Sequence, residues 1–339
     1  MFYKQGSDTE TWTDQDAQRD ESSGAESRAM RIRPDDLKEF YAVDTYRSMR
    51  PLVETWLLIA ATVAVALWSH SVIVWILAAI VIGRSQHALA VMMHEAAHFR
   101  LLEDRWWNDF VGQWLCAFPV NSDVYRYRKV HLRHHKYLLT DRDPDLSLSR
   151  GYPVSWESFR RKLTRDITGL SAMVMRGYVV VDANGRNRPT MQYVKMRMVR
   201  QRIPRMALGF AIIAMLFYLG LGWAYIALWM IPLLTVNQVI LRVRGVLEHA
   251  GVPDAKDGLR NARTIISHNP IIKFLIGPYH VAYHLEHHLF PAVPHYNLPR
   301  LHEALKADPR FARALVENSY MEGMHDVIKP QRAAAPMAA

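Results

Sequence analysis

The sequence predicts an all-α integral membrane protein, with four transmembrane helices in two hairpins and a cytosolic helical cap carrying a dimetal histidine site. Three observations predict it. Apolar residues make up 50% of the 339 residues while mean hydropathy is only -0.09, so apolar and charged residues are segregated into blocks. Lys and Arg are missing from the two tips that interrupt the apolar blocks and are dense between them. Histidines recur at spacings of three and four, which share a face on a helix but not on a strand.

Residues 1–30 are polar and mostly acidic, without the basic start and apolar core of a signal peptide, and are expected to form a disordered tail. Residues 31–330 are expected to form the membrane domain, and 331–339 (QRAAAPMAA) a flexible C-terminal tail. The first apolar region, Trp56 to Met93, breaks at Ser69-His70-Ser71 into spans of about 52–69 and 72–93. The uninterrupted apolar run 72–83 is short for a crossing, so the helix is expected to continue through Arg84, Gln86 and His87 to His98. At ~1.5 Å per residue, His94 then lies roughly 35 Å beyond Ser71, just past the hydrocarbon, with Arg84 snorkelling out of the inner leaflet. The second region, Met206 to Ile240, divides at Gly220-Leu221-Gly222-Trp223 into spans of about 206–222 and 224–241.

The net charge of +10 would suit nucleic acid in a soluble protein, but no RNA-binding or zinc-finger signature accompanies it. Beside long apolar runs it suits a membrane surface, and nucleic acid is not expected as a partner. Roughly twenty Lys and Arg lie between the hairpins, which puts both termini and the long loop in the cytosol. Within that loop, WWNDFVGQWLCAF (106–118) suits the membrane interface, and WESFRRKLTRDITGLSAMVMRGYVV (156–180) suits a helix on an anionic surface. Core packing would explain either. Cys116 is the single cysteine, so no intramolecular disulfide forms, and a buried structural thiol is expected.

Of the 16 histidines, eight fall in three groups: HEAAH (His94, His98), HLRHH (His131, His134, His135) and HLEHH (His284, His287, His288). Two spans separate the second group from the third, so all three emerge on one side of the membrane. Eight imidazoles exceed the three protein ligands typical of a catalytic zinc and suit two metals. Spacing does not name the metal, because imidazole serves zinc, copper, iron and nickel alike.

These motifs resemble the three histidine boxes of the integral-membrane fatty acid desaturase and hydroxylase superfamily. The texts HLRHHKYLLTDRDPD and YHLEHHLFPAVPHYNLPRLHEAL resemble its bacterial members most, including the branch that contains dihydrorhizobitoxine desaturase. The resemblance covers roughly residues 50–305. It implies a non-haem diiron cofactor of two iron ions, and O2-dependent desaturation of a fatty acyl or lipid-like substrate in the lipid bilayer, with hydroxylation as the alternative outcome. It also implies the bacterial inner membrane, with the active site facing the cytosol. One cysteine cannot hold an iron–sulfur cluster and no fused haem segment is visible, so an external ferredoxin, rubredoxin or cytochrome is implied as electron donor.

The resemblance adds His249, in GVLEHAG, as a ninth ligand beside His94, His98, His131, His134, His135, His284, His287 and His288. Some members place a water-bridged asparagine near this ligand. One turn before His249 this chain has Gly245, and Asn237 is the nearest substitute, with a helix-packing role also open to it. His87 is expected to pack or to touch substrate, and His280 to be a ligand or to support one. His268, His295, His302 and His325 are read as non-ligands, and His70 lies at the far hairpin tip. Glu95, Asp143, Asp145, Glu248 and Glu286 are candidate partners for ligand imidazoles. A different class remains open on residues alone. HEAAH could serve an intramembrane zinc protease, with Glu95 as base and Asp257 as third ligand, but this leaves both HxxHH groups idle. A non-enzymatic metal carrier would leave O2 chemistry out altogether.

Overall fold

The computed structural model describes residues 34–175, 180–181, 187–188 and 196–329. The two expected tails, 1–30 and 331–339, lie outside these residues, as do residues 176–179 of the 156–180 segment. The described chain is mostly helical: α1 (Pro34–Tyr41), α2 (Thr45–Trp68), α3 (Val72–Ala97), α4 (Arg105–Val111) and α5 (Val124–Lys136) are followed by α6 (Trp156–Ile167) and α7 (Met196–Tyr218). Next come α8 (Gly222–His249), then α9 (Pro270–Ile276), α10 (His284–Leu289), α11 (Leu298–Leu305) and α12 (Tyr320–Val327). Among the described residues, strands are limited to two-residue ribbons.

Among the described residues, three helices are long and apolar enough to cross a membrane: Leu37–Trp68, Val72–Ala97 and Gly222–His249. The sequence predicts four. Where it places the span 206–222, helix α7 ends at Tyr218, and its apolar described part, Ala207–Tyr218, falls short of a crossing by itself. Gly220, at φ +73°, makes the turn into α8. Val53, Leu57, Val65, Ile73, Ile76, Phe210 and Phe217 are exposed, as side chains facing acyl chains would be.

Helix α3 runs unbroken through Arg84, Gln86 and His87 to Ala97, and its environment changes along its length. Val72 to Leu77 is mostly exposed, while Ile82 to Ala97 is almost wholly buried. Arg84 differs from expectation. It is only 8% exposed, its Nε donates to the Phe274 carbonyl at 2.6 Å, and its guanidinium stacks on the Phe274 ring at 4.4 Å. Helix α9 therefore covers the cation, which satisfies its charge without reaching water.

Helices α3 and α8 cross at Gly83, where a Cβ would come within 2.6 Å of the Val236 side chain. Asn237 sits in this crossing and is 2% exposed, in keeping with a packing role. Helix α8 is irregular on the way. A π-turn at Ile226–Met230 precedes Pro232, which has no N–H to donate, and Thr235 leaves helical geometry at φ -122°, ψ -83°. From Val236 the helix is regular and delivers His249 at its last turn.

The 106–118 segment forms α4 and a π-turn packed along α3, with Trp106, Trp107 and Phe110 exposed. Gly112 permits this approach, since a Cβ there would meet that of Ala96 at 2.4 Å. Helix α6 packs instead of floating free: Phe159 and Asp166 are buried, and Asp166 pairs with Arg242 of α8. Cys116 is buried and reduced, and its burial pushes the thiol pKa up.

Candidate metal centre

Each histidine is placed by an element whose local sequence explains it. HEAAH ends α3, and three groups hold that end. Arg128 donates to the carbonyls of Ala97 at 2.9 Å and Ala96 at 2.8 Å, satisfying carbonyls that the helix leaves without partners. Asn108 donates to the Ala96 carbonyl at 3.0 Å and accepts from the Leu101 and Leu102 amides. Asp109 holds the Arg128 guanidinium in turn. Helix α5 starts with Asp123 accepting from the Arg126 amide at 2.9 Å. The i, i+3, i+4 spacing then turns His131, His134 and His135 inward together.

His249 is fixed by Arg263, which is 1% exposed and donates to the carbonyls of Leu247 at 2.5 Å and Ala250 at 3.3 Å while pairing with Asp326. Helix α10 is locked from behind. Glu286, fully buried, lies 2.5 Å from His302 Nδ1 and accepts from the Thr264 hydroxyl.

The structure gathers the nine sequence-selected histidines into two buried groups. His94, His98, His131, His135 and His287 form one, and His134, His249, His284 and His288 the other; within each group the donor atoms lie within 4.8 Å of one another. The HLRHH and HLEHH motifs each contribute to both groups, and His135 stacks on His288 at 4.2 Å across the divide.

The spacing of the nitrogens tests whether metals fit. In the four-histidine group, Nε2 of His249 lies 3.2 Å from that of His134 and 2.8 Å from that of His284, which is 3.1 Å from that of His288. In the five-histidine group, Nε2 of His135 is 3.0 Å from that of His131 and 3.1 Å from that of His287. Donors about 2.1 Å from one ion and at right angles to each other would stand about 3.0 Å apart. The chemistry of the donor set agrees. Burial, then neighbouring imidazoles, holds His98, His131, His135, His284, His287 and His288 well below the usual histidine pKa, so they are neutral with lone pairs available.

Outer partners fix several rings. Asp143 accepts from His134 Nδ1 at 2.9 Å and from the amides of Leu139 at 2.9 Å and Asp145 at 2.8 Å. Burial opposes the charge on each partner of this pair. Burial is the largest single influence on each, but the hydrogen bond and the attraction of neighbouring charges together outweigh it, raising the His134 pKa and lowering that of Asp143. The Glu248 carboxylate lies 3.5 Å from His284 Nδ1 and 2.8 Å from Arg244 Nε. His249 Nδ1 donates to the Asn261 carbonyl at 3.2 Å. Glu95 lies 3.3 Å from His94 Nδ1 and accepts from the His295 amide at 2.9 Å.

The remaining histidines stand apart from both groups. His70, His268, His280 and His325 are at the surface, and His295 and His302 are buried next to the site without joining it. His87 is fully buried in α3. Sequence reasoning missed Arg128, Asn108, Asn261 and Arg263, because no local motif marks a residue that acts on a distant helix end.

The protease reading does not survive this geometry. His94 and His98 are joined by three further histidines, Glu95 is occupied by His94 and the His295 amide, and Asp257 pairs with Arg313 at 2.6 Å.

A family model described as fatty acid desaturase matches residues 68–317. Dihydrorhizobitoxine desaturase of Bradyrhizobium elkanii is 26% identical over 270 residues, covering 75% of this chain and 72% of that protein. The β-carotene ketolase of a Paracoccus species is 26% identical over 219 residues, covering 62% of this chain and 72% of that protein.

Proposed function

The chain belongs to the fatty acid desaturase family and is an oxidoreductase, and we propose that it catalyses O2-dependent desaturation of a fatty acyl or lipid-like substrate at a non-haem diiron centre. The observation that carries this reading is the convergence of nine buried histidines into adjacent groups of five and four. All nine are proposed as metal ligands. Iron bound there would supply O2 activation and oxidation of an unactivated C–H bond. In the net reaction the substrate gives up two hydrogens to become an alkene. O2, with these and with two external electrons and two protons, leaves as two waters. Every other function falls to the chain. Asp143 and the Asn261 carbonyl hold His134 and His249 in the tautomer that leaves Nε2 unprotonated. Burial of the whole constellation keeps water from competing for the reactive site.

The proposed topology has four spans, with α7 completing the second hairpin, and the active site in the cytosol. It is supported by α3 and α8 running in the same direction: both begin at tips without Lys or Arg and both end in the histidine groups. The implied home of such a chain is the bacterial inner membrane. Helix α5 also supports an acidic external donor of ferredoxin, rubredoxin or cytochrome type. Its inner face carries His131, His134 and His135, and Arg126, Lys129, Arg133 and Lys136 recur at helical spacing on its outer face.

Oxygen insertion is the second reading, favoured by the ketolase among the relatives. Expression in a bacterial membrane host with lipid and metabolite profiling separates the two. A new O2-dependent double bond supports desaturation, and a new hydroxyl or oxo group supports insertion. His287→Ala should abolish either product while membrane insertion persists. A product that survives this substitution would remove the centre from the reaction.

A further inference from the structure

One short segment, 261–263, closes the end of α8 around its ligand. Carbonyls in the last turn of a helix have no partner within it. The Arg263 guanidinium takes those of Leu247 and Ala250, and the Arg263 amide donates to that of Glu248 at 2.9 Å. Two residues earlier, the Asn261 carbonyl accepts from His249 Nδ1.

That segment is held in turn by the C-terminal part of the chain. Asp326 of α12 accepts from Arg263 at 2.9 Å, and the Glu317 carboxylate lies 3.8 Å from Arg263 Nε. Thr264–Ile265 pairs in parallel with Val316–Glu317. Just past His249 the chain turns at Gly251, φ +64°, where a Cβ would come within 2.6 Å of the Asp326 carbonyl. Val246, Leu247, Ala250, Ile265 and Val327 close into one apolar cluster beneath this pairing. The Arg263 side chain is fully buried, whereas that of Asp326 is 44% exposed. Loss of the carboxylate would therefore strand a cation in the interior, while loss of the cation would leave Asp326 to water.

We propose that Arg263 and Asp326 are positioning residues for the metal centre. Helix α12 acts through Arg263 to hold His249 in place, so the C-terminal segment sustains metal binding at the four-histidine group and not at the five-histidine group. The selectivity follows from the ligand sets. His249 belongs to the four-histidine group, and four of the five ligands of the other group lie at the end of α3 and on α5, which Arg128, Asn108 and Asp123 hold instead. This rests on the proposed binding of metal by the nine histidines.

The test uses the full chain in phosphatidylcholine nanodiscs, with cobalt(II) as the probe metal and chelator competition as the readout. His287→Ala leaves the four-histidine group complete, and His284→Ala leaves the five-histidine group complete. Asp326→Ala should weaken cobalt binding about 10–100-fold when added to His287→Ala, and leave it unchanged when added to His284→Ala. Asp326→Glu, which keeps the carboxylate, should recover most of the loss. Arg263→Met removes the buried charge itself, so it should show the same selectivity even where Asp326→Ala folds poorly. Equal weakening in both backgrounds makes the pair ordinary packing and overturns the proposal. So does loss of all cobalt from either background alone, which would merge the groups into one site. Wild type that binds no cobalt refutes the metal centre and the proposal with it. Backgrounds that bind cobalt and ignore both Asp326→Ala and Arg263→Met refute the proposal and leave the centre standing.

Discussion

The two histidine groups are built from the same side chain but held in different ways. In the four-histidine group two outer nitrogens have hydrogen-bond partners, Asp143 for His134 and the Asn261 backbone carbonyl for His249, while Glu248 lies 3.5 Å from His284 and His288 Nδ1 is buried without a partner. In the five-histidine group the one carboxylate among the described partners is Glu95, 3.3 Å from His94, and His98 Nε2 and His135 Nδ1 are buried without partners. There the rings are held by one another, edge to face, and by the fixed end of α3. One group is oriented by hydrogen bonds to individual rings, the other by the placement of whole helices. Single substitutions outside the ligand set should therefore act locally on the first group and through the fold on the second.

The sharpest way to break this contrast is to remove one ligand from each group. His287→Ala and His284→Ala should each abolish turnover and each lower bound metal from about two ions per chain to about one. Loss of both ions from either variant would mean that the groups act as one site. Next in size is Arg128→Met, which removes the arginine from the end of α3 and leaves Asp109 without its cation, though still bonded by Asn108. It should cost about 3 kcal/mol of stability in thermal melts and weaken the five-histidine group before the other. Asp143→Asn should lower metal affinity at one of two sites by about 10–100-fold, read by competition with a chelator, with little change in melting temperature. Glu95→Gln should do less. The smallest effect belongs to the outer face of α5. Lys129→Glu with Arg133→Glu should reduce turnover with an acidic donor roughly tenfold at low salt, and much less at high salt, with metal content unchanged.

Much of the site was legible because three motifs carry their own geometry: spacing of three and four on a helix turns the rings together before any tertiary contact is known. His249 needed the family resemblance, since a lone histidine at a helix end has no such pattern. The split into five and four was hidden, because His134 and His135 are neighbours in sequence yet turn to different groups. Two features of the fold were read only in part. Arg84 reads as a snorkelling cation from its own helix, but α9, contributed by a segment far along the chain, covers it. The irregular course of α8 depends on how Pro232 and Thr235 combine, which hydropathy does not register.

The central claim is that the nine histidines bind two irons. Iron content with K-edge absorption on protein purified from an iron-supplied membrane host tests it most directly. The expected result is about two irons per chain in nitrogen-rich coordination, falling to none when His284 and His287 are replaced together. A single zinc per chain, or iron that survives the double substitution, would contradict it.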